Sequence, residues 1–380
     1  MEQGFALLKS AKPSVRERKT LLGREPAIVY SGGPGDFSWE KLRALCRQRF
    51  AIGFLSYDLA EGLLGLARGQ GPLPGFWFGF YDSLACLDEL TGRCFAWEPD
   101  GTRAPEQWPR LGAPGRFSLG FTGFDQGRSA YRKNILDIRE HIGAGDFYQV
   151  NYTIRGRFGF RDDPWGLFSA FIRRQPVPYA AYIQMDEGTV LSGSPELFLR
   201  VRGNRACSAP MKGTARAGPG GRRRLGLSGK DRAENLMITD LVRNDLGRVA
   251  SSVNVRELFR VERYATVFQM VSMVEAELLP GHDFVDALAA CFPAGSVTGA
   301  PKSSATEAIA RLERSPRGVY TGAIGYITPW GDSCWSVAIR TCELRDSELV
   351  YGTGGGITFA SDPDAEWEEC MAKMAGLTGL

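Results

Sequence analysis

The chain has 380 residues, of which 43% are hydrophobic and 23% charged, a composition typical of a globular protein long enough for two domains. Its formal net charge is only +3, so no overall positive field marks it as a nucleic-acid-binding protein. No apolar run approaches the roughly 20 residues of a membrane-spanning helix. The N-terminus lacks the apolar segment of a secretory signal, and the eight cysteines have neither CxxC nor metal-type spacing. These features predict a cytoplasmic protein with reduced thiols, no membrane segment and no nucleic-acid partner.

The first part of the chain is predicted to be smaller and less regular than the rest. Residues 38–49 show a helical stripe, and residues 52–58 and the aromatic run 76–81 are typical of strands. The stretch 105–114 is polar and rich in proline and glycine, which indicates a linker. We therefore expect a shortened N-terminal region over residues 1–120.

A larger domain is expected over residues 121–380. It opens with an amphipathic helix over 125–144, in which Tyr131, Ile135 and Ile138 recur at helical spacing. A strand follows the glycines that end this helix.

Lys212 lies between a predicted strand and a glycine-rich loop. Upstream, residues 189–191 and 197–201 predict two short strands joined by a turn that contains Glu196. A hairpin at this point would bring the Lys212 amine close to the Glu196 carboxylate. The alternative is a surface lysine in a turn, which is the more common outcome for an isolated lysine.

A helix over 231–241 carries Glu234 beside an apolar stripe formed by Ala233, Met237 and Leu241. A carboxylate at the edge of a buried face needs a partner. A functional ligand and an ordinary salt bridge both meet this need, so two interpretations stay open.

Two strands are predicted near 321–327 and 334–342, the second of which ends in Ile339-Arg340-Thr341. The glycines at 352–356 follow. Consecutive glycines leave backbone N–H groups unobstructed, so this run is compatible with a nest for a carboxylate. The alternative is a plain tight turn, which is the more common outcome for glycines alone.

The last helix, over 364–375, places Glu366, Glu369 and Lys373 on one face. Two carboxylates from this face together with Glu234 would suit Mg²⁺, which prefers oxygen ligands. The alternative is a face of solvated charge. Across the chain, many strands in non-alternating order with interspersed helices predict an α+β protein built on antiparallel sheets.

Seven motifs occur in a fixed order between residues 120 and 380. They are Ser194-Pro195-Glu196, Lys212-Gly213-Thr214, Asp231-Arg232-Ala233-Glu234-Asn235, Arg243-Asn244-Asp245, Gly299-Ala300-Pro301-Lys302, Ile339-Arg340-Thr341 and Gly354-Gly355-Gly356. In this order they resemble the chorismate-utilising enzymes, and a weaker resemblance covers residues 53–58 and 77–82. The resemblance implies a layered α/β/β/α sandwich of two antiparallel sheets with outer helices, similar to anthranilate synthase component I, with the active site between the sheets.

Three positions distinguish the branches of this family. Isochorismate and salicylate synthases carry a water-activating lysine where this chain has Gln149, which cannot act as a general base. Anthranilate synthases have an alanine in place of Lys212. Lys212 and the run Ser296–Gly299 resemble the aminodeoxychorismate synthase component I branch. Anthranilate synthesis is the alternative within the family, and a non-catalytic chorismate-binding partner is the alternative outside it.

The resemblance implies a reaction of chorismate with ammonia that gives 4-amino-4-deoxychorismate, for 4-aminobenzoate and folate biosynthesis. It implies that Lys212 is a nucleophile and that Glu196 protonates the departing hydroxyl. Mg²⁺ is expected on Glu234 and Glu369, assisted by Glu366. The implied substrate-binding residues are Thr214, Tyr320, Arg340, Gly354, Gly355, Gly356 and Lys373. No glutaminase domain is recognised, so ammonia is expected from a separate glutamine amidotransferase subunit or from solution.

The chain departs from the family at Phe268-Gln269, because many relatives carry a histidine before Met270-Val271-Ser272. The substrate contact of that histidine is therefore absent or made by another group.

Overall fold

The computed structural model describes residues 3–14, 17–66, 69–101 and 103–379. The strands are β1 (Ala6–Lys9), β2 (Lys19–Gly23), β3 (Ile28–Gly32), β4 (Phe50–Leu55), β5 (Phe76–Tyr81), β6 (Leu84–Asp88), β7 (Cys94–Trp97), β8 (Arg103–Pro105), β9 (Phe117–Phe124), β10 (Gln149–Asp162), β11 (Tyr179–Met185), β12 (Gly188–Ser194), β13 (Leu197–Arg202), β14 (Arg205–Ala209), β15 (Met211–Arg216), β16 (Ala250–Arg263), β17 (Val267–Leu278), β18 (Gly299–Ala300), β19 (Ala323–Ile327), β20 (Ser333–Val337), β21 (Thr341–Arg345) and β22 (Glu348–Ile357). The helices are α1 (Trp39–Cys46), α2 (Tyr57–Leu63), α3 (Arg128–Ala144), α4 (Pro164–Arg174), α5 (Gly221–Leu227), α6 (Gly229–Gly247), α7 (Phe284–Cys291), α8 (Lys302–Leu312) and α9 (Pro363–Thr378), with short 3₁₀ helices at Pro34–Asp36 and Gly295–Val297.

Within the described residues, the strands form two sheets of 12 and 10 strands. The first sheet has the order β18-β10-β22-β21-β12-β11-β1-β2-β6-β7-β8, with β9 also paired to β10. The second has the order β15-β17-β14-β13-β20-β19-β4-β5-β3, with β16 also paired to β17. The pairings in both sheets are antiparallel. The predicted α+β class and its layered arrangement are confirmed.

Strand β5 shows how the sequence specifies these layers. Its side chains alternate between the two faces of the sheet, as in any strand. Phe76, Phe78 and Phe80 pack into a core with helices α1, α2, α6 and α7. Trp77 and Tyr81 point to the opposite face, into a core that contains residues from both sheets. Because both faces are buried, the strand is apolar throughout, and its prediction from the aromatic run is confirmed.

Strands from both sides of residue 120 take part in each sheet. In the first sheet β1 pairs with β11, and in the second β4 pairs with β19. No helix among residues 3–14, 17–66, 69–101 and 103–379 is long and apolar enough to cross a membrane.

Several predicted boundaries are shifted by capping. The strand predicted over 52–58 ends at Leu55, because the Ser56 hydroxyl accepts the Leu59 N–H and begins α2. The helix predicted over 125–144 begins at Arg128, after Gly127 in an extended conformation. Gly145 ends it with a φ of 88°, a left-handed conformation that glycine adopts without strain.

Two of the places at which the chain passes from one sheet to the other were predicted incorrectly. The segments 189–191 and 197–201 do not form a hairpin: β12 belongs to the first sheet and β13 to the second. The strand predicted over 334–342 is divided in the same way into β20 and β21. We call the link between β12 and β13 the first crossover and the link between β20 and β21 the second crossover.

The two crossovers lie side by side. The Ser194 hydroxyl donates to the Val337 carbonyl at 2.6 Å, and the Val337 N–H donates to the Glu196 carbonyl at 3.1 Å. The Gly193 N–H donates to the Arg340 carbonyl at 3.0 Å. These bonds replace the sheet hydrogen bonds that each crossover segment loses where it leaves one sheet for the other.

The glycines at 352–356 form neither a tight turn nor a loop nest, which corrects both interpretations. They lie inside β22, where Gly354 is opposite Thr153 and Gly356 is opposite Asn151 of β10. Glycine within a strand is typical of a place where another group approaches the backbone closely. A methyl group on Gly352 would overlap the ring of Tyr320.

Candidate active site

Glu196 lies in the first crossover and is only 4% exposed. Its carboxylate accepts hydrogen bonds from the Ser296 side chain and the Met211 backbone. Burial raises the pKa of Glu196 to about 7, although these bonds and the nearby Lys212 oppose the shift. A carboxyl group with this pKa can donate a proton near neutral pH.

Lys212 lies on β15, and the chain reaches it through the hairpin of β13 and β14 rather than the predicted hairpin. Burial lowers the pKa of Lys212, while the charges of Glu234 and Glu196 act in the opposite direction. The predicted proximity of Lys212 and Glu196 is therefore found, although its predicted cause is wrong. Gly213 has a φ of 82° and produces a bulge against β17 between Lys212 and Thr214.

The glycines of β22 lie against the charged side chains. A methyl group on Gly356 would overlap the amide of Gln149 and lie 3.1 Å from Lys212 Nζ. One on Gly355 would lie 3.1 Å from Glu366 Oε2 and 3.7 Å from Glu369 Oε1. Glycines at these two positions therefore allow Gln149, Lys212 and the α9 carboxylates to lie close to the backbone of β22.

The face predicted on the last helix is present on α9. Glu369 pairs with Lys373 at 2.7 Å, and Lys373 Nζ also donates to the Gly354 carbonyl at 2.6 Å. Glu366 accepts the Ser361 hydroxyl at 2.7 Å. The α9 face therefore contacts the glycine strand directly.

Glu234 completes this group from α6, where Lys230 lies 4.0 Å away. Burial raises the pKa of Glu234, and the negative charge of Glu369 adds to the rise. Burial also raises the pKa of Glu366. The pKa of Glu369 is lowered, because Lys373 outweighs the effect of burial.

Across the described part of the chain, no three histidine, cysteine or acidic side chains converge closely enough to coordinate a metal ion as they stand. The donor chemistry nevertheless fits Mg²⁺. Glu366 and Glu369 approach the same glycine, and Glu234 and Glu369 repel each other in the absence of a cation.

Arg340 lies in the second crossover with a φ of 52°. Its guanidinium donates to Gln175 Oε1 at 3.2 Å. Tyr320 is 6% exposed and has its ring over Gly352, and the charge of Lys373 acts on it. Thr214 is exposed on β15. Among residues 3–14, 17–66, 69–101 and 103–379, neither Thr214 nor Arg340 hydrogen-bonds to another predicted site residue.

Comparison with known proteins agrees with this geometry. Residues 27–379 match the family model described as chorismate binding enzyme. The chain belongs to the chorismate binding enzyme family.

Its relatives include an aminodeoxychorismate synthase of Streptomyces griseus, 39% identical over 360 residues that cover 87% of this chain and 49% of that protein. An aminodeoxychorismate synthase component 1 of Klebsiella aerogenes is 38% identical over 340 residues, which cover 85% of this chain and 75% of that protein. The chain therefore spans about half the length of the Streptomyces protein. The solved structure of anthranilate synthase component I from Streptococcus pneumoniae TIGR4 superposes with a TM-score of 0.82 at 24% identity, over 96% of this chain and 93% of that one.

Two polar residues in this member of the family were not predicted as site residues. Gln149 is 1% exposed, and in the described structure neither atom of its amide has a hydrogen-bond partner. Ser296 is the side-chain partner of Glu196. Both lie in stretches that the sequence already singled out, but spacing alone does not show that a side chain is buried without partners.

Gln269, at the family's histidine position, lies opposite Thr214 on β17. Its Oε1 atom is buried, and no described group donates to it.

A large cavity lies elsewhere. It measures about 820 Å³ and is lined by residues that include Lys19, Trp97, Arg202 and Tyr326. None of the predicted site residues lines it.

Proposed function

We propose that this chain catalyses the formation of 4-amino-4-deoxychorismate from chorismate and ammonia. One observation carries the proposal: a half-buried lysine with a lowered pKa adjoins a buried glutamic acid with a pKa of about 7, beside a strand of glycines. Relatives that bear the name aminodeoxychorismate synthase support it.

Glu196 is the general acid in this proposal. With a pKa of about 7 it is partly protonated at neutral pH, and its proton goes to the C4 hydroxyl, which leaves as water. The Ser296 and Met211 contacts fix the direction in which the carboxyl group points.

Lys212 is the nucleophile. Its neutral amine bonds to C2 as the C4 hydroxyl departs, and the two ring double bonds shift. Ammonia then bonds to C4, the double bonds shift back, and the lysine leaves. Two displacements retain the configuration at C4. Burial favours the neutral amine that the first step requires.

Glu234, Glu366 and Glu369 hold Mg²⁺ in this proposal. The ion, when bound, supplies positive charge for the ring carboxylate of chorismate. Lys373 neutralises part of the same acidic group and ties α9 to Gly354.

The remaining contacts recognise the second carboxylate. Arg340 and Tyr320 bind the enolpyruvyl group together with the backbone of Gly354, Gly355 and Gly356. Thr214 lies at the exposed side of this pocket. An arginine is suited to a carboxylate because it can donate two parallel hydrogen bonds.

Ammonia reaches the chain from a separate glutamine amidotransferase subunit, and the reaction takes place in the cytoplasm. The isolated chain uses free ammonia, because ammonium has no lone pair. Turnover at a fixed ammonium concentration therefore rises with pH up to about the pKa of Glu196, above which the loss of protonated Glu196 opposes the further gain in free ammonia. Glutamine alone gives no product until the partner subunit is added.

The test is incubation with chorismate, ammonium and Mg²⁺, followed by mass analysis. We expect 4-amino-4-deoxychorismate from the wild type and none from Lys212→Ala. Without ammonia, a chorismate-derived adduct should map to Lys212. The exposed Lys133→Ala variant is the control. Equal turnover by the Lys212→Ala variant and the wild type would show that Lys212 is not the nucleophile.

The same assay separates the other candidate functions. Fluorescent anthranilate as the product would assign the chain to anthranilate synthesis. Chorismate binding without any product would identify a non-catalytic binding partner.

A further inference from the structure

The turn at residues 317–320, between α8 and β19, is held by two buried carboxylates from distant parts of the chain. Asp58 comes from α2 and Glu343 from β21. Their exposed fractions are 3% and 2%. Neither belongs to the residues assigned above to the reaction.

Asp58 accepts three backbone N–H groups. Its Oδ1 accepts Arg317 at 2.9 Å and Gly318 at 3.0 Å, and its Oδ2 accepts Gly71 at 2.8 Å. Both oxygens are thus occupied by donors. An asparagine has one acceptor and one donor at this position, so it cannot keep all three bonds.

Glu343 accepts hydrogen bonds from the second half of the turn. Its Oε1 accepts Val319 N–H at 3.0 Å and Tyr320 N–H at 3.5 Å. A methyl group on Gly318 would overlap this carboxyl group, and Gly318 has a φ of 62°. The positive φ and the lack of space for a side chain both require glycine at position 318 if the turn is to pack against Glu343.

The turn reaches the candidate active site through Tyr320. Its ring lies over Gly352, and Lys373 is close enough for its charge to act on the phenol. Lys373 in turn holds Glu369 and the Gly354 carbonyl. A displaced turn would therefore move a substrate-binding tyrosine.

We propose that Asp58 and Glu343 are positioning residues, which fix the 317–320 turn from opposite ends and so orient Tyr320 in the substrate site. The inference rests on the proposed function for its kinetic readout. Asp58 thereby links the N-terminal region to substrate binding.

The charges around Glu343 influence whether its carboxyl group is protonated. It faces Asp58 from α2, Arg155 from β10 and Cys342 on its own strand. Burial raises the pKa of Glu343 to about 8, and Asp58 adds to the rise. The protonated form therefore dominates at neutral pH, and ionisation places an additional negative charge beside Asp58.

The first experiment compares Asp58→Asn and Glu343→Gln with the exposed controls Asp82→Asn and Glu348→Gln. We expect Asp58→Asn to raise the KM for chorismate about tenfold with a smaller change in kcat, as for one lost hydrogen bond to a charged group. Unchanged kinetics in Asp58→Asn would overturn the proposal for that residue.

For Glu343→Gln the informative variable is pH. With rates divided by the free ammonia concentration, the wild type should lose about fivefold in kcat/KM between pH 8 and 9 beyond the loss seen in the Glu343→Gln protein, which keeps a neutral amide. The same decline in both proteins would overturn the role of Glu343.

A double-mutant cycle with Tyr320→Phe separates positioning from general support of the fold. If Asp58 acts through Tyr320, its substitution should cost clearly less when the tyrosine hydroxyl is already absent. Equal costs in both backgrounds would show that Asp58 does not act through Tyr320.

Hydrogen exchange gives a readout that needs no turnover. The amides of Arg317 and Gly318 should exchange about tenfold faster in Asp58→Ala than in wild type or Asp82→Ala, because their acceptor is lost. If the wild type makes no product, the proposed function is wrong. If the exchange rates are unchanged, Asp58 does not hold the 317–320 turn.

Discussion

Glu196 and Glu313 are equally buried, at 4% and 5% exposed, yet burial has opposite outcomes for them. Glu313 is held by the guanidinium groups of Arg155 and Arg317, which keep its pKa lowered against the effect of burial. Within the described part of the chain Glu196 has no arginine partner, and its pKa rises to about 7. Burial alone therefore does not decide the charge of a carboxylate, whereas its partners do.

The two lysines of the site show the same contrast. Lys373 is exposed and pairs with Glu369, whose charge raises the pKa of Lys373 against the effect of desolvation. Lys212 has the nearby charges of Glu196 and Glu234, but desolvation outweighs them and its pKa is lowered. The groups proposed for the proton transfer and the covalent step, Glu196 and Lys212, are the ones in which desolvation outweighs the nearby charges.

The largest expected effect concerns Glu234, whose charge acts on Lys212. Glu234→Ala should abolish turnover, because it removes a carboxylate that binds Mg²⁺ in the proposal. Its melting temperature without metal should stay unchanged or rise, because burial disfavours the Glu234 carboxylate by more than Lys212 and Lys230 stabilise it, so that its pKa is raised.

Product formation with Mg²⁺ and with excess chelator, together with thermal unfolding, checks this prediction. The exposed Glu307→Ala variant on α8 is the control. Full activity in excess chelator would contradict a role for the metal.

The next effect concerns Glu196 itself. Glu196→Gln should lower kcat by about 10²- to 10⁴-fold, the range typical of a lost general acid, and leave chorismate binding intact. The glutamine keeps an acceptor for Ser296, so the fold should be retained. Single-turnover rates of hydroxyl loss measure the effect, with the exposed Glu187→Gln as control. An unchanged rate would remove Glu196 from the acid role.

Glu313→Gln should act in the opposite way, on stability. It leaves Arg155 and Arg317 buried with an excess of positive charge, which costs about 3–5 kcal/mol when one partner of a buried pair is removed. Urea unfolding at pH 7 measures the loss relative to wild type and Glu196→Gln. A loss as small as that of a surface pair, about 1 kcal/mol or less, would remove the distinction between the two glutamates.

The sequence predicted the α+β class, and its motifs identified Lys212, Glu196 and the carboxylates of α9. Local patterns sufficed for β5 and α3, because alternation and helical spacing are recorded in neighbouring residues. The face shared by Glu366, Glu369 and Lys373 follows from helix geometry in the same way.

The crossovers could not be predicted, because apolar segments such as 189–191 and 197–201 look alike whether they pair with each other or join different sheets. The glycines of β22 were misread for a related reason. Their function as space for Tyr320 and Gln149 depends on residues far away in sequence. The lack of partners around Gln149 is likewise a property of the folded packing, not of its motif.

The smallest expected effect is a difference in the pH dependence of stability between the two glutamates. For Glu196 the pKa is about 7 in the folded chain against an ordinary 4.5, so the folded state holds a proton that the unfolded state has released. Its contribution to stability therefore falls as pH rises from 4.5 to 7, by about 3 kcal/mol in total, and is constant above that range. For Glu313 the folded pKa is lowered, so its contribution is complete above pH 4.5 and is lost only as pH falls toward the folded value. Urea unfolding without Mg²⁺ at several pH values should therefore show the difference between wild type and Glu196→Gln shrinking between pH 4.5 and 7, while the difference between wild type and Glu313→Gln stays level. Parallel curves for the two variants would mean that both glutamates are ionised alike in the folded chain, and Glu196 would then hold no proton to give at neutral pH.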